Sequence, residues 1–509
     1  MADEKKPMNI LMLMTDQHRV DTLGCYGNDI CKTPTLDEIA NTGTRFTDWF
    51  TPSAICTPAR ASLYTGYAPF RHKLLANEER NVGYMEDMKD GQWTFPQELK
   101  KHGWNTGLVG KWHAGTHKNA NYYGFDGEDY KGWHNDITHP DYLKYLADNN
   151  FPPYSITDRY RGTFPNGQPG NLIAARLQQP VEATYEHYLA TRTIEMLERY
   201  AADNKKDGKP FFLLSSYSAP HLPYIIPDEY FDMYDPADIK LPPSVAEDFA
   251  DKPPVQKNYS RHWAFDTMTE EQDRKLIAAY YGYVSMVDME FGRIMDAVKR
   301  LGLDDSTAIV FSSDHGEFTG AHRLHDKGPA MYDDIYHTAG LIRVPGCKPQ
   351  VRDDFVTLLD LPATFLDIAG LDTSPAVDSR SLLPIVRGEH PAWDPYVLCE
   401  FHGHHFPLAQ RMIRTKDYKL VVNPESRNEF YDLNADPYEL NNRYDDVLLK
   451  GPQDELMKTL YNRLRTRGDK FFHWMTEMFN VGTLDYDPTM SGLDESTYKD
   501  QKKKAEANK

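Results

Sequence analysis

Asn9-Ile10-Leu11-Met12-Leu13-Met14, running on into Thr15-Asp16-Gln17, is the stretch whose reading decides the fold. Five large apolar side chains in succession, without polar alternation, are what a strand buried on both faces requires. Similar runs recur at 106–110, 211–217 and 307–313. Between them, apolar residues take helical spacing at 35–41, 186–202 and 272–301, the last through Leu276, Tyr280, Tyr283, Val284, Val287 and Met295. Strands alternating with helices predict an α/β sheet covered on both faces. Beyond about residue 385 the pattern changes. Short runs at 396–401, 410–415, 418–422 and 429–433 predict a small antiparallel sheet, and 453–479 predicts one helix packed on it. The expected organisation is an α/β domain over 1–385, a C-terminal subdomain over 386–484 and a polar arm over 485–509 that could reach a neighbouring subunit of a homo-oligomer.

The chain has 509 residues, 76 acidic against 57 basic, with 40% apolar and 12% aromatic residues, which excludes a disordered or fibrous chain. Its net charge of −19 opposes binding to nucleic-acid phosphates or anionic lipid, so an anionic substrate needs a local cluster of cations. No run of eighteen or more apolar residues occurs, so no membrane span is expected. The apolar run Met8 to Met14 is too short for a secretory signal. The five cysteines are scattered, with no C-x-x-C pair. Both features fit a cytoplasmic protein.

The densest chemistry lies in Cys56-Thr57-Pro58-Ala59-Arg60-Ala61-Ser62-Leu63-Tyr64-Thr65-Gly66. Pro58 fits a first helical turn and Thr57 a cap, which puts Cys56 beside the positive end of a helix. Asp16-Gln17 and Asp314-His315 each follow a strand, where open α/β sheets place their ligands. Lys111 and His113 follow a third strand, His221 a fourth, and Lys327 lies thirteen residues after Asp314.

The string C-x-P-x-R, continued by A-S-L-x-T-G, resembles the signature of the type I sulfatases of the alkaline phosphatase superfamily, and the resemblance extends from Asn9 to Asn442. It implies the alkaline-phosphatase-like α/β sandwich, a large mixed, mostly parallel sheet between helices, with a smaller C-terminal antiparallel subdomain. It implies hydrolysis of a sulfate ester by formylglycine, made from Cys56 by a sulfatase-maturating enzyme. The two hydroxyls of its hydrate divide one hard step into two: one attacks sulfur, and loss of a proton from the other expels sulfate. By the same resemblance Asp16, Gln17, Asp314 and His315, with the modified Cys56, hold one divalent metal. Oxygen ligands favour Ca²⁺, and the nitrogen of His315 leaves Mn²⁺ or Mg²⁺ open. Lys111, Lys327 and His221 are implied to bind sulfate oxygens, Arg60 and His113 to stabilise the formylglycine, and His221 or Lys327 to protonate the leaving oxygen. The Asp-Gln and Asp-His pairs are a variant of the commoner Asp-Asp and Asp-Asn, shared with some glycan sulfatases and phosphonate monoester hydrolases.

A phosphonate monoester hydrolase or phosphodiesterase using the same nucleophile is the alternative activity. Those relatives tend to carry Tyr and Thr where this chain has Lys111 and His113. Asn77 is a further candidate for the substrate pocket. His402-Gly403-His404-His405 reads either as a metal cluster or as a substrate-facing rim, and His18 and Arg19 are similarly open. Tyr122, Tyr123, Trp133 and His134, within the aromatic-rich stretch 121–160, could stack a sugar ring or simply pack. The acidic exterior favours a small substrate with one sulfate, a mono- or disaccharide or an aryl or alkyl sulfate, over a long polyanion.

Overall fold

The computed structural model describes residues 8–77, 85–127, 137–373, 377–424 and 426–482. Asn9–Thr15 forms the expected first strand, β1, with all seven residues buried. Its sheet also contains Thr44–Phe46 (β2), Asn105–Gly110 (β3), Asp126–Gly127 (β4), Phe211–Ser216 (β5), Thr307–Ser313 (β6), Gly340–Arg343 (β7) and Gln350–Arg352 (β8), in the order β8-β2-β7-β6-β1-β5-β3-β4. The run from β6 to β4 is parallel throughout, while β7 is antiparallel to both β6 and β2. The sheet is thus mixed and mostly parallel.

Successive strand side chains point to opposite faces. Leu11 and Leu13 therefore join Val109, Leu213, Ile309 and Phe311 on one side, while Ile10, Met12 and Met14 join Leu108, Phe212, Leu214 and Val310 on the other. The first face is covered by α1 (Pro34–Thr42), α3 (Tyr185–Asp207) and α4 (Glu270–Arg300), through Leu36, Ile39, Leu189, Leu197, Val284, Val287 and Phe291. The second is covered by α2 (Cys56–Thr65) and α5 (Leu361–Ile368), through Ala59, Leu63, Tyr64, Phe365 and Leu366. Each such large side chain stabilises the fold by about 1.5–3 kcal/mol. A charge at Leu11 or Met12 would have no wet face to turn to. The long α4 starts cleanly because Thr269 and Gln272 form a reciprocal capping box ahead of an acidic first turn.

Register does the positioning. Thr15 pairs with Ser313, Met14 with Ser216, and Ser216 with Gly110. Asp16, Asp314 and Lys111, each the next residue along, consequently leave the sheet side by side at its carboxyl edge.

Val397–Phe401 (β9), Gln410–Arg414 (β10), Tyr418–Val422 (β11) and Glu429–Asp432 (β12) form the expected antiparallel meander. Phe401, Met412, Val421 and Tyr431 share a core with Phe50, Ile55, Tyr332 and Tyr336. Lys419, wholly buried, bonds Asp333 at 2.5 Å and Glu439 at 2.5 Å, and Arg414 also reaches Asp333 at 3.1 Å.

The chain forms two compact units, residues 1–446 and the residues from 447 on. The second does not contain the single helix expected over 453–479 but two, Lys450–Arg467 and Phe472–Phe479. Gly468 is the cause. At φ +78° it donates to Arg465 O at 3.1 Å while Asp469 donates to Leu464 O at 2.9 Å, a pattern that closes a helix. The arm expected over 485–509 lies outside the described residues. Among the described residues, no helix is long and apolar enough to cross a membrane.

Candidate active site

Helix α2 starts at Cys56 itself, with the extended Ile55 as its cap, and not after a Thr57 cap as the sequence suggests. Pro58 is compatible with this start because residues of the first turn have no intrahelical N–H partner to lose. Cys56 still occupies the positive end of the helix. Asn77 Oδ1 accepts from the orphan Thr57 N–H at 3.1 Å, so Asn77 serves the helix start as well as the cavity described below. All ten residues of α2 are buried, Arg60 among them.

Around Cys56 the strand ends converge. Cys56 Sγ lies 3.1 Å from His315 Nε2 and 3.7 Å from Asp16 Oδ1. Arg60 spans both carboxylates, with Nε 2.8 Å from Asp314 and Nη2 3.1 Å from Asp16, and its Nη1 donates to Ser216 Oγ at 2.8 Å and Lys111 O at 3.1 Å. It therefore faces the two acids, with no hydrogen bond to the thiol among the described contacts. Lys111 Nζ donates to Asp16 at 2.5 Å. Burial and Asp16 push the Cys56 thiol up, yet Lys111, Lys327 and His315 outweigh them and hold it below its ordinary value. An oxyanion at the same point would feel the same field.

Asp16, Cys56, Asp314 and His315 each offer a ligand atom, and these atoms lie within 4.8 Å of one another. His315 Nδ1 must donate to Gly316 O at 2.8 Å, since a carbonyl only accepts. That turns Nε2 toward Cys56 and the carboxylates, 3.7 Å from Asp16 and 3.8 Å from Asp314. Burial opposes a charge on His315, but Asp314, Cys56 and Asp16 prevail and raise its pKa to about 9. Burial and the neighbouring Asp16 push Asp314 up, whereas Asp16 itself, despite its burial, is held low by Lys111 and Arg60. Two carboxylates and one imidazole nitrogen in a dry cluster fit a divalent cation. Gln17 joins the group, its N–H donating to Asp314 at 3.2 Å and its Oε1 accepting from Lys327 at 3.2 Å.

Lys327, His221, His113 and Asn77 line one cavity of about 570 Å³. His221 Nδ1 donates to Leu222 O at 2.5 Å, so its Nε2 is left to accept from Lys327 Nζ at 2.7 Å. Burial and the ammonium of Lys327 keep this imidazole neutral, well below its usual pKa. Burial, then Lys111 and Arg60, do the same to His113, whose backbone is left-handed at φ +45°. The rest of the wall is largely apolar, with Leu172, Ile173, Trp263 and Phe265, and carries His404 and His405 opposite Asp326. His404 and His405 line this wall, as the rim reading has it, and with Asp326 they place three ligand atoms within 4.8 Å of one another, as the metal reading has it, while His402 bonds Glu400 at 2.8 Å.

The remaining sequence candidates are elsewhere. His18 is tied to Thr15 and Thr22, and Arg19 braces Asp21, Asp334 and the carbonyls of Glu317 and Phe318. Tyr123 stacks on Trp112 in the core, Tyr122 is exposed, and Trp133 and His134 lie outside the described residues. Sequence reasoning passes over Glu317, Ser216, Asp326 and Trp263. Glu317, two residues beyond His315, and Asp326, next to Lys327, carry a legible signal; Ser216 and Trp263 join the site only by folding.

A sulfatase family model matches residues 8–371, and a model of the C-terminal region of N-sulphoglucosamine sulphohydrolase matches residues 320–467. The uncharacterized sulfatase YidJ of Escherichia coli (strain K12) is 29% identical over 483 residues, 92% of this chain and 90% of its own length. An arylsulfatase of Clostridium perfringens (strain 13 / Type A) is 27% identical over 491 residues, 91% of this chain and 95% of its own. Among solved structures, a phosphonate monoester hydrolase from Silicibacter pomeroyi superposes with a TM-score of 0.75 at 24% identity, covering 92% of this chain and 97% of the other. That last likeness concerns the fold.

Proposed function

The chain belongs to the sulfatase family and is a sulfuric ester hydrolase of the alkaline phosphatase superfamily, and from that premise we propose that it removes the sulfate from a small, singly sulfated substrate by means of a formylglycine at position 56 and a divalent metal. The observation that carries the reading is the placement of Cys56: at a helix N-terminus, against two carboxylates and His315, within the field of Lys111 and Lys327. Its Sγ stands where an oxygen of the hydrated aldehyde would lie.

Asp16, Gln17, Asp314 and His315 would hold the ion, Ca²⁺ by preference for oxygen, which when bound supplies positive charge to the nucleophile and to a sulfate oxygen. A hydrated formylglycine made from Cys56 would supply one hydroxyl to attack sulfur and a second whose deprotonation would release sulfate. Lys111 and Lys327 neutralise charge that develops on the equatorial oxygens; each well-aimed donor is worth roughly 10²-fold or more in rate. Lys327 carries the proton for the leaving alcohol, whose oxygen would displace one of the ammonium's present acceptors, His221, Gln17 or Asp326. His221 orients the ammonium, because the only hydrogen of that neutral ring is committed to Leu222 O. Arg60 keeps the two acids together.

The cavity supports one class of substrate. Lys327 is the only lysine or arginine among the described residues of its wall, and Leu172, Ile173, Trp263 and Phe265 offer apolar surface. This supports a ring or chain with one sulfate, a sulfated mono- or disaccharide or an aryl or alkyl sulfate, over a polysulfated one. The test has two parts. Protein co-expressed with a maturating enzyme is analysed by intact mass, and a cysteine retained at 56 in active protein ends the covalent mechanism. kcat/KM on matched aryl sulfate and aryl phosphonate esters then decides the activity, and a clear phosphonate preference overturns the sulfatase assignment.

A further inference from the structure

Glu317 is wholly buried, and both of its oxygens are engaged. Oε1 accepts the backbone N–H groups of Thr319 at 3.0 Å and Asp326 at 2.6 Å. Oε2 accepts from the side-chain amide of Gln17. Gln17 is held independently at its backbone, where φ is +62°, its N–H donates to Asp314 and its carbonyl accepts from Tyr280 at 2.7 Å. The one freedom left is which end of its amide faces which way. Lys327 can only donate, so the oxygen end must face it, and the NH₂ end faces Glu317, which accepts through Oε2. The sequence of donors runs from Lys327 through Gln17 to Glu317, and it has one direction.

We infer that Glu317 is the positioning residue that holds the amide oxygen of Gln17 on the side away from itself, where it accepts from Lys327 and would be offered to the proposed ion, and that the two residues act as a unit. The inference rests on the proposed metal role of Gln17. It also explains why an amide, and not a second carboxylate, suits position 17: an aspartate or glutamate there would face the buried Glu317 with no hydrogen between them.

Glu317→Gln changes no heavy-atom position. The two backbone donors keep the new Oε1, which leaves an NH₂ facing the NH₂ of Gln17. Gln17 then loses its acceptor, and turning over would set its NH₂ against Lys327, which can only donate, so its oxygen is no longer held in one orientation. Outer partners of metal ligands are typically worth 10–100-fold in metal affinity, and E317Q is expected to weaken Ca²⁺ binding by that factor. Binding is measured by calorimetry on metal-stripped protein, alongside kcat/KM, with the metal-free melting temperature as a check on folding. The reciprocal pair Q17E/E317Q restores the hydrogen bond with its donor reversed and conserves total charge, so it is expected to bind Ca²⁺ more tightly than either single variant. Wild-type affinity in E317Q, or a double variant no better than the worse single, overturns the inference. Asp314→Ala separates the two levels. If it abolishes Ca²⁺ binding while E317Q leaves it unchanged, the metal site stands and the positioning role falls; if it leaves binding intact, both fall together.

Discussion

Replacing Lys327 with alanine is expected to damage the enzyme to a degree set by the alcohol that leaves. In the structure Lys327 Nζ is 2.7 Å from His221 Nε2, 3.2 Å from Gln17 Oε1 and 3.1 Å from Asp326. Burial disfavours its charge, but Asp326, Cys56 and Asp16 more than offset this and keep the amine protonated. Two contributions vanish together in the variant. Loss of one cation on the sulfate oxygens costs about 10²-fold with any substrate. Loss of the proton donor costs about a further 10²-fold, at the low end for general acids, only where the leaving oxygen needs a proton. An alkyl sulfate is therefore expected to lose about 10⁴-fold in kcat/KM, and nitrophenyl sulfate, whose phenolate departs unaided, about 10²-fold. His221→Ala should show a smaller and less selective loss. Steady-state rates for both variants on both esters make the comparison. Equal losses for Lys327→Ala on the two esters, or leaving-group selectivity that appears only in His221→Ala, would refute the assignment of the proton to Lys327.

Removing the metal should destabilise the protein by about 2.7 kcal/mol relative to protein held at a hundredfold excess of metal over Kd, read as a drop in melting temperature on adding a chelator; no shift would argue against a resident ion. In the metal-free protein with Cys56 unmodified, His315 titrates near 9 in place of its ordinary 6.5. Its charge therefore contributes about 3 kcal/mol of stability below pH 6.5, and that contribution is lost as pH rises through 9. Metal must displace this proton, so affinity should rise by about tenfold per pH unit up to 9, and calorimetry in buffers of different ionisation heat should detect its release. Lys419→Met leaves Asp333 and Glu439 short of a buried cation and should cost about 3 kcal/mol in urea unfolding, because Arg414 still pairs with Asp333; a loss below about 1 kcal/mol would show the network to be incidental. Gly110→Ala would set a Cβ 2.0 Å from Ser216 O at φ +98°, so it should displace the adjacent Lys111 and lower both activity and melting temperature.

The fold is readable to the extent that burial dictates pattern. The runs at 9–14 and 307–313 admit little but a doubly buried strand, and the apolar face from Leu276 to Met295 admits little but a long helix. The break at Gly468 is harder, because a glycine within an otherwise helical pattern is often tolerated and only sometimes ends the helix. Thr57 reads as a cap and is not one for a related reason: Asn77, twenty residues away, supplies the oxygen that a local cap would have supplied.

Chemical identity also lies in the chain itself. Which residue follows each strand is a property of sequence, so Asp16, Lys111, His221 and Asp314 can be named from the order of residues alone. Their meeting cannot. It depends on the parallel register that sets Thr15 against Ser313 and Ser216 against Gly110, a long-range pairing that no local spacing encodes. The direction of hydrogen bonds is equally invisible in the sequence. That His221 spends its proton on Leu222 O, and that Glu317 turns the amide of Gln17, follow from atoms brought together from distant segments, where each donor must find an acceptor because water is excluded.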